Sequence, residues 1–447
     1  MDADVTDSAG RPDGPHRPDD DEERDGPRSS SGAAGGSPAA SGGADGPAPG
    51  AGAGAGTAAW ADRPKDAFPR RERHWVRWTA LAAAFVVLVA AGVGWWLYRR
   101  LDGNIRTDDD AAAELRAYEK ERPTAIASGA QNILLIGSDS RAGDNAEYGR
   151  DDHGRQRSDT TILLHLPADR KSATAVSVPR DLMADVPACH TADGGTSREQ
   201  FAQFNWAFQY GGAACTIRTL EKMTGIRVDH HMIVDFSGFK DMVDAVDGVD
   251  VCLREPIDDK AAHLRLPAGR HRLDGEQALG YVRARKSLGD GSDTDRMDRQ
   301  QKFLGALVNK VQSNGVLLNP TKLYPVLDAA TKSLTTDPGL DSLRDLYDLV
   351  RGMRNVPTDK VQFLTVPRKP YSLNANRDEL VEPDATRLFA QLRQDVPVEV
   401  VPADGGDTAT PTPAASPSTA ASPSAASSAS PAPTYSGTNA AEDLCKR

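Results

Sequence analysis

Aromatic residues are scarce in this 447-residue chain, at 6%, and positive charge is not in excess: 53 Lys and Arg stand against 64 Asp and Glu, a formal charge of −11. No Lys/Arg-dense stripe with interleaved aromatics occurs in the foldable part, so the composition argues against nucleic acid as a partner. Cysteine is almost absent. The four residues Cys189, Cys215, Cys252 and Cys445 form no CxxC pair, which disfavours a structural zinc site. No P-loop, HExxH or Ser-centred nucleophile elbow is present, and no internal repeat. Ser138 after Gly137 is a weak nucleophile candidate with no base in view. Large apolar residues are nearly missing from 1–58 and 404–447, where Gly, Pro, Ala and Ser concentrate. Such segments bury too little surface to offset chain entropy and are expected to be disordered. Roughly 108–402 remains to fold, as one large domain or two small ones.

One long apolar run stands out. From Trp78 to Tyr98 there is no charged residue, and a helix of that length covers about 30 Å, the thickness of a bilayer's hydrocarbon. Trp75 and Trp78 at one end, and Trp95, Trp96 and Tyr98 at the other, suit the two interfaces. Arg63, Lys65, Arg70, Arg71, Arg73 and Arg77 precede the run, whereas Arg99, Arg100 and Arg106 give way to Asp108, Asp109 and Asp110 after it. The asymmetry puts the N-terminus in the cytoplasm and the remainder outside. A cleaved signal peptide is disfavoured by the about 75 residues that precede the run. The expected organisation is a cytoplasmic tail (1–74), a transmembrane helix (75–99), a juxtamembrane helical segment (100–131), an extracellular domain (132–402) and a Ser/Thr/Ala/Pro-rich disordered tail (403–447). An outside location permits disulfides. Cys189 and Cys215 flank a loop-like DGG stretch and are candidates to pair, with the pairing of Cys252 and Cys445 left open.

In the foldable part, DDDAAAELRAYEKER forms a helix ended by Pro123. NILLIG, TTILLHL and SATAVSV are short apolar strands, the last two joined by the tight turn PADRK. CTIRTLEKMTG is a helix with Gly225 near its C-cap, HHMIVDF a strand, and SGFKDMVDAVDG a helix capped by Ser237. VDVCL is a strand, GEQALGYVRARK a short helix running into a strand, and DTDRMDRQQKFLGALVNKVQ a long amphipathic helix. Further helices fall between 320 and 353, and VQFLTVP is a late strand. Strands alternating with helices, plus one hairpin, predict an α/β fold: a three-layer α-β-α sandwich around a mixed sheet, preceded by one transmembrane helix.

Local connectivity makes one cluster. Asp139 follows the first strand and Asp159 begins the second, so an antiparallel return sets both carboxylates at one edge. The third strand returns along the second and brings Arg180 beside Arg157 and Asp159. Two carboxylates and two guanidiniums suit a divalent metal and a phosphate; a surface ion-pair group gives the same pattern. Downstream, Arg283 and Arg285 are two apart and would share a strand face. Arg296 and Gln300 share a helix face, as do Asp295 and Arg299. Four arginines within 17 residues of an acidic chain fit bidentate phosphate contact.

Six stretches in this order, NILLIGSDSR, RSDTTILLHL, SVPRDL, FNWAFQYGG, GEQALGYVRARK and DTDRMDRQQKF, behind one membrane anchor, resemble the LytR–CpsA–Psr family of bacterial wall glycopolymer transferases, and the cysteines and tails are similar to those of actinobacterial members. The resemblance implies a membrane-anchored enzyme that moves a glycopolymer from a polyprenyl-pyrophosphate carrier to the muramic acid 6-hydroxyl of peptidoglycan. It assigns Asp139 and Asp159 as Mg²⁺ ligands and Arg157, Arg180, Arg283, Arg285, Arg296 and Gln300 as pyrophosphate-binding residues. Asp159, Arg180, Arg283 and Arg285 would carry the catalysis, and helices 217–224, 237–246 and 297–312 would line a tunnel for the polyprenyl tail. Gln203 stands where the family often has Lys. Carrier hydrolysis, or a non-catalytic sensor of wall lipids, are the alternatives.

Overall fold

Leu134 and Ile136 face one way from their strand and Ile133 the other, and all three are buried. A strand apolar on both faces needs cover on both. The computed structural model describes residues 74–125, 128–139, 157–285, 293–313, 320–402 and 433–442. The expected cytoplasmic tail, apart from His74, lies outside the described residues.

The chain begins with α1 (His74–Asp102), β1 (Arg106–Thr107), α2 (Asp109–Ala117), β2 (Gln131–Ser138), β3 (Ser158–Leu166), β4 (Ala173–Val178), β5 (Met183–Val186) and β6 (Gln200–Gln203). It continues through α3 (Asn205–Thr224), β7 (His230–Val234), α4 (Phe236–Ala245), β8 (Val249–Leu253), β9 (Ile257–Asp259), β10 (Leu264–Leu266), β11 (Gly269–Leu273) and α5 (Gly275–Arg283). Then come α6 (Asp293–Ser313), α7 (Pro320–Ser333), β12 (Leu334–Thr336), α8 (Leu343–Met353), β13 (Val361–Thr365), β14 (Arg368–Tyr371), β15 (Asn374–Leu380), α9 (Asp384–Arg393), β16 (Glu399–Pro402) and β17 (Thr434–Asn439).

The main sheet runs β1-β12-β7-β2-β3-β4-β13-β17-β16. It is mixed, as expected: β2, β3 and β4 are antiparallel neighbours, while β2–β7 and β4–β13 are parallel. On one face Leu134, Ile136, Leu163 and Val176 pack with Leu115 of α2, Ile217 and Leu220 of α3 and Leu388 of α9. On the other, Ile133, Ile162 and Phe363 pack with Leu304 and Val308 of α6 and Leu349 and Met353 of α8. This is the three-layer sandwich. Beside it, α4, α5 and Phe303 of α6 enclose a further core with the β8–β11 and β9–β10 ribbons.

Several boundaries differ from expectation. The juxtamembrane helix α2 is capped by Asp108, which accepts from Ala111 N at 3.1 Å, and it ends at Ala117, well before Pro123. The cap of α4 is Asp235, accepting from Gly238 N at 2.8 Å, and not Ser237. VDVCL (β8) pairs with β11 outside the main sheet. The largest correction is the tail. Residues 403–447 were expected to be disordered, yet β17 lies inside the main sheet, antiparallel to β13 and parallel to β16. Gly437 permits this, because a Cβ there would collide with the Phe363 carbonyl.

The apolar helix α1 has 29 residues and is long and apolar enough to cross a membrane. It continues past the expected end at 99 to Asp102, whose carboxylate accepts from Leu343 N at 3.0 Å, and Leu101 is buried. Cys189 and Cys215 form a disulfide, with Gly211 of α3 so close that a Cβ would meet the His190 carbonyl at 2.7 Å. Cys252 is also disulfide-bonded.

Candidate functional site

The β2–β3 return forms the first half of the site. Ser138 pairs with Ser158, and just beyond, Asp139 N donates to Arg157 O at 3.0 Å while Arg157 N donates to Asp139 Oδ1 at 2.6 Å. The β3–β4 pairing, Thr161 opposite Val178, then sets Arg180 Nη1 3.0 Å from Asp159 Oδ1. Connectivity thus brings Arg180 to Asp159 and joins Asp139 to the Arg157 backbone, with one difference from expectation. The Arg157 guanidinium turns to Gln209 Oε1 of α3 at 3.2 Å.

The second half comes from the α5–α6 region. A capping box, Asp274 with Gln277, starts α5. Arg283 is its last residue and Ala284 its C-cap, so the expected strand face shared by Arg283 and Arg285 does not form. A helix end followed by one extended residue delivers both side chains to the same cavity instead. Buried Asp259 accepts from Arg285 N at 2.7 Å, and Arg299 donates to the Ala284 carbonyl, pinning the segment from two sides. Arg299 thus serves the backbone. The Arg283 guanidinium lies 4.7 Å from the centre of the Phe236 ring, a cation–π contact.

Asp159, Arg283, Arg285, Arg296 and Gln300 line one cavity of 490 Å³. Most of the remaining wall is apolar, Leu135, Ile162, Met232, Phe239, Leu279 and Val282 among it, with Ser138, Thr160, Asp235 and Asp259 as further polar residues. Along α6 the lining changes from Arg296 and Gln300 to Phe303, Leu304 and Leu307. Along this helix the cavity therefore passes from a cationic stretch to a greasy one. Helices α4 and α6 supply part of the wall, as expected for two of the three tunnel helices. The third, 217–224, packs instead in the core on the opposite face of the sheet, through Ile217 and Leu220.

Asp293, which the sequence reading passed over, ties the halves together. Its Oδ1 is 2.5 Å from Arg296 Nη2 and 3.5 Å from Arg180 Nε. The i,i+3 spacing of Asp293 and Arg296 at the start of a helix was the available signal. Arg180 also reaches Asp181 Oδ2 at 3.2 Å. Burial depresses the Arg180 pKa, but Asp159, Asp181 and Asp293 outweigh it and hold the group above its ordinary value. Arg296 is 4% exposed, and burial lowers its pKa to about 10 against the opposing pull of Asp293; it stays cationic at neutral pH. Its Nε, and Asp293 Oδ2, are buried without a hydrogen-bond partner among the described residues. Such unspent valences mark a place where a polar ligand fits. Gln203 donates to Asp181, one residue from Arg180.

The model of the LytR_cpsA_psr family matches residues 103–394. The cell wall biosynthesis protein LcpA of Corynebacterium glutamicum is 30% identical over 351 residues, covering 72% of this chain and 66% of that protein. The probable cell wall biosynthesis protein LcpB of the same organism is 38% identical over 291 residues, covering 63% and 66%. The polyisoprenyl-teichoic acid–peptidoglycan teichoic acid transferase TagT of Bacillus subtilis is 26% identical over 330 residues, covering 70% and 93%. The matches thus span just under two thirds of the length of the two corynebacterial relatives.

Proposed function

The chain belongs to the LytR_cpsA_psr family, and on that premise we propose that it transfers a glycopolymer from a polyprenyl-pyrophosphate carrier to the muramic acid 6-hydroxyl of peptidoglycan. The observation that carries the reading is the cavity: a mostly apolar chamber of 490 Å³ whose cationic stretch holds Arg283, Arg285, Arg296 and Gln300. An isoprenoid tail with a pyrophosphate head has that shape of polarity. The relatives' names agree in kind, one being a polyisoprenyl-teichoic acid–peptidoglycan teichoic acid transferase.

In this reading the tail lies along Phe303, Leu304 and Leu307, and the guanidiniums grip the two phosphates. The acceptor hydroxyl oxygen attacks the phosphorus that bears the glycopolymer. The bridging P–O bond breaks, and its electrons leave on polyprenyl phosphate. Negative charge grows on that bridging oxygen, and fixed cations stabilise it without reorganisation. Arg283 and Arg285 are held for this by Phe236, Asp259 and Arg299. Arg180, tied to Asp159, Asp181 and Asp293, orients the carboxylates around it.

Mg²⁺ fits the donor set. It commonly takes one or two carboxylates and completes its shell with water and substrate phosphate. Asp159, about a third exposed on the cavity wall, and Asp139 at the adjoining strand end would hold it. Among the described residues no group of three acidic, His or Cys ligands occurs. When bound, it would neutralise phosphate charge. The helix α1 would span the membrane with the N-terminus cytoplasmic and the domain outside, which keeps the cavity near a lipid-borne substrate.

The test uses the full chain in lipid nanodiscs with carrier-linked sugar, nascent peptidoglycan and Mg²⁺. Wild type should release polyprenyl phosphate and label peptidoglycan, and Asp159→Ala and Arg283→Ala should do neither. Release without labelling would replace transfer by hydrolysis. Binding without release would replace it by lipid sensing.

A further inference from the structure

The end of α1 is a fixed joint, not a loose tether. The Asp102 carboxylate accepts from the backbone N–H of Leu343, the first residue of α8, at 3.0 Å. Asn104 donates to Asp328 Oδ1 at 3.3 Å and to Thr331 Oγ1 at 3.4 Å, both on α7. β1 then pairs in parallel with β12, Arg106 opposite Thr335, and Asp108 N donates to the Thr336 carbonyl at 2.8 Å. Fastenings to α8, α7 and β12 thus follow one another over Asp102–Asp108.

Distance along α1 places α8. Trp95, Trp96 and Tyr98 are exposed, and the guanidiniums of Arg99 and Arg100 lie over the two indoles, 4.9 and 5.6 Å from the ring centres. Such residues sit at headgroup level. From Tyr98 to Asp102 is about 6 Å along a helix that rises about 1.5 Å per residue. The headgroup layer on each side of a bilayer is about 5–8 Å thick. With α1 in a bilayer, the first turn of α8 is therefore at the headgroups.

The sequence of α8 suits that place. Leu349 and Met353 pack in the core with Leu304 and Val308 of α6. Leu343, Tyr347 and Val350, at i, i+4 and i+7, form a second apolar stripe. Tyr347 is 57% and Val350 47% exposed. Arg351 follows Tyr347 by four and Arg354 follows Val350 by four, so each has an exposed guanidinium on its own side of the helix. Arg344, also exposed, is 3.9 Å from Asp348. A helix that lies at a membrane surface has this make-up, apolar groups toward the acyl chains and arginines at the phosphates.

Resting on the reading of α1 as a membrane span, we propose that α8 docks on the bilayer surface. Tyr347 and Val350 enter the boundary between headgroups and acyl chains, and Arg351 and Arg354 meet lipid phosphates. Continuity with α1 names the occupant, since the same hydrogen-bonded joint that ends the span begins α8. α6, with which α8 packs, also carries Phe303, Leu304 and Leu307 of the cavity. The helical layer that lines the cavity is then the one that docking holds at the lipid.

The full chain is tested in nanodiscs of mixed zwitterionic and anionic phospholipid. It carries p-benzoylphenylalanine in place of Leu88, Tyr347, Val350 or Leu373, one at a time, and adducts formed on irradiation are read by mass spectrometry. Leu88 is the midpoint of Trp78–Tyr98 and reports the span. Leu373, exposed between β14 and β15, reports chance contact. Lipid adducts form at 88, 347 and 350 and not at 373. With Tyr347→Asp in place the adducts at 350 are lost, at an unchanged melting temperature; their persistence overturns the proposal. Adducts at 88 without adducts at 347, or equal yields at 347 and 373, overturn it and leave α1 as a span. No adducts at 88 removes the span and the proposal with it. Crosslinks from 347 to a second copy of the chain, without lipid, assign the face to self-association and overturn it too. None of these readouts needs carrier cleavage, so failure of the transferase assay does not touch the docking of α8.

Discussion

Filling the greasy part of the cavity should separate tail binding from phosphate chemistry. Leu307 is half-buried on α6 and lines the cavity two turns beyond Gln300. In Leu307→Trp the indole would displace about five carbons of tail, and at about 0.8 kcal/mol per buried CH₂ the loss is about 4 kcal/mol. That corresponds to nearly three powers of ten in kcat/KM for a long-chain carrier. A sugar pyrophosphate with a short isoprenoid tail does not reach Leu307 and should be cleaved as by wild type. The assay is release of the isoprenoid phosphate under sub-saturating substrate for both chain lengths, with an unchanged melting temperature as the check on folding. Equal turnover of the long carrier by wild type and Leu307→Trp would refute the placement of the tail. Equal loss with both substrates would mean that the ring disturbs the arginines.

Asp293→Asn removes the counter-charge of a buried guanidinium already depressed to about 10; KM for the carrier should rise about tenfold or more, from a charged hydrogen bond of about 1.5–3 kcal/mol. Cys215→Ser opens a loop of sequence separation 26 and should cost about 3.5 kcal/mol by loop entropy, read as a lower denaturant midpoint. His230 is half-buried, which lowers its pKa, but Asp337 at 3.1 Å overrides this and raises it. Its contribution is therefore fully present below the unfolded pKa of about 6.5 and fades as pH rises through the folded value. His230→Gln should lower the melting temperature more at about pH 5.5 than at about pH 8.5. Equal losses at the two values would remove the ion pair from the account.

How much of this was readable differs by element. Strands β2, β3 and β4 were visible because each holds an apolar run buried on both faces, and β7 and β13 from shorter apolar stretches. The Asp159–Arg180 contact followed from a short hairpin turn, whose register allows few alternatives. Arg283 and Arg285 were found by residue type while their conformation was misread. The alternation in YVRAR suggested a strand, but the capping box at Asp274 and the Arg299–Ala284 contact hold a helix end. Asp293 was overlooked because its role depends on packing α6 against β4, a contact between residues more than a hundred positions apart that local pattern does not encode. The same holds for Asp102 and Leu343, whose hydrogen bond joins α1 to α8. β17 was hidden by its neighbourhood: 27 residues of Ser, Thr, Ala and Pro from Thr408 to Thr434 led up to TYSGTN and made it look like more of the same.

That strand has a consequence for how the molecule is made. Among the described residues β16 is joined to the sheet only through β17. Translation runs from the N-terminus, so β17, the second strand from the edge, is the last of the described strands to emerge. Until it does, β13 presents an open edge of the kind that recruits foreign strands. A chain released at any point before Thr434 would still carry every arginine of the cavity and yet leave that edge of the sheet unpaired.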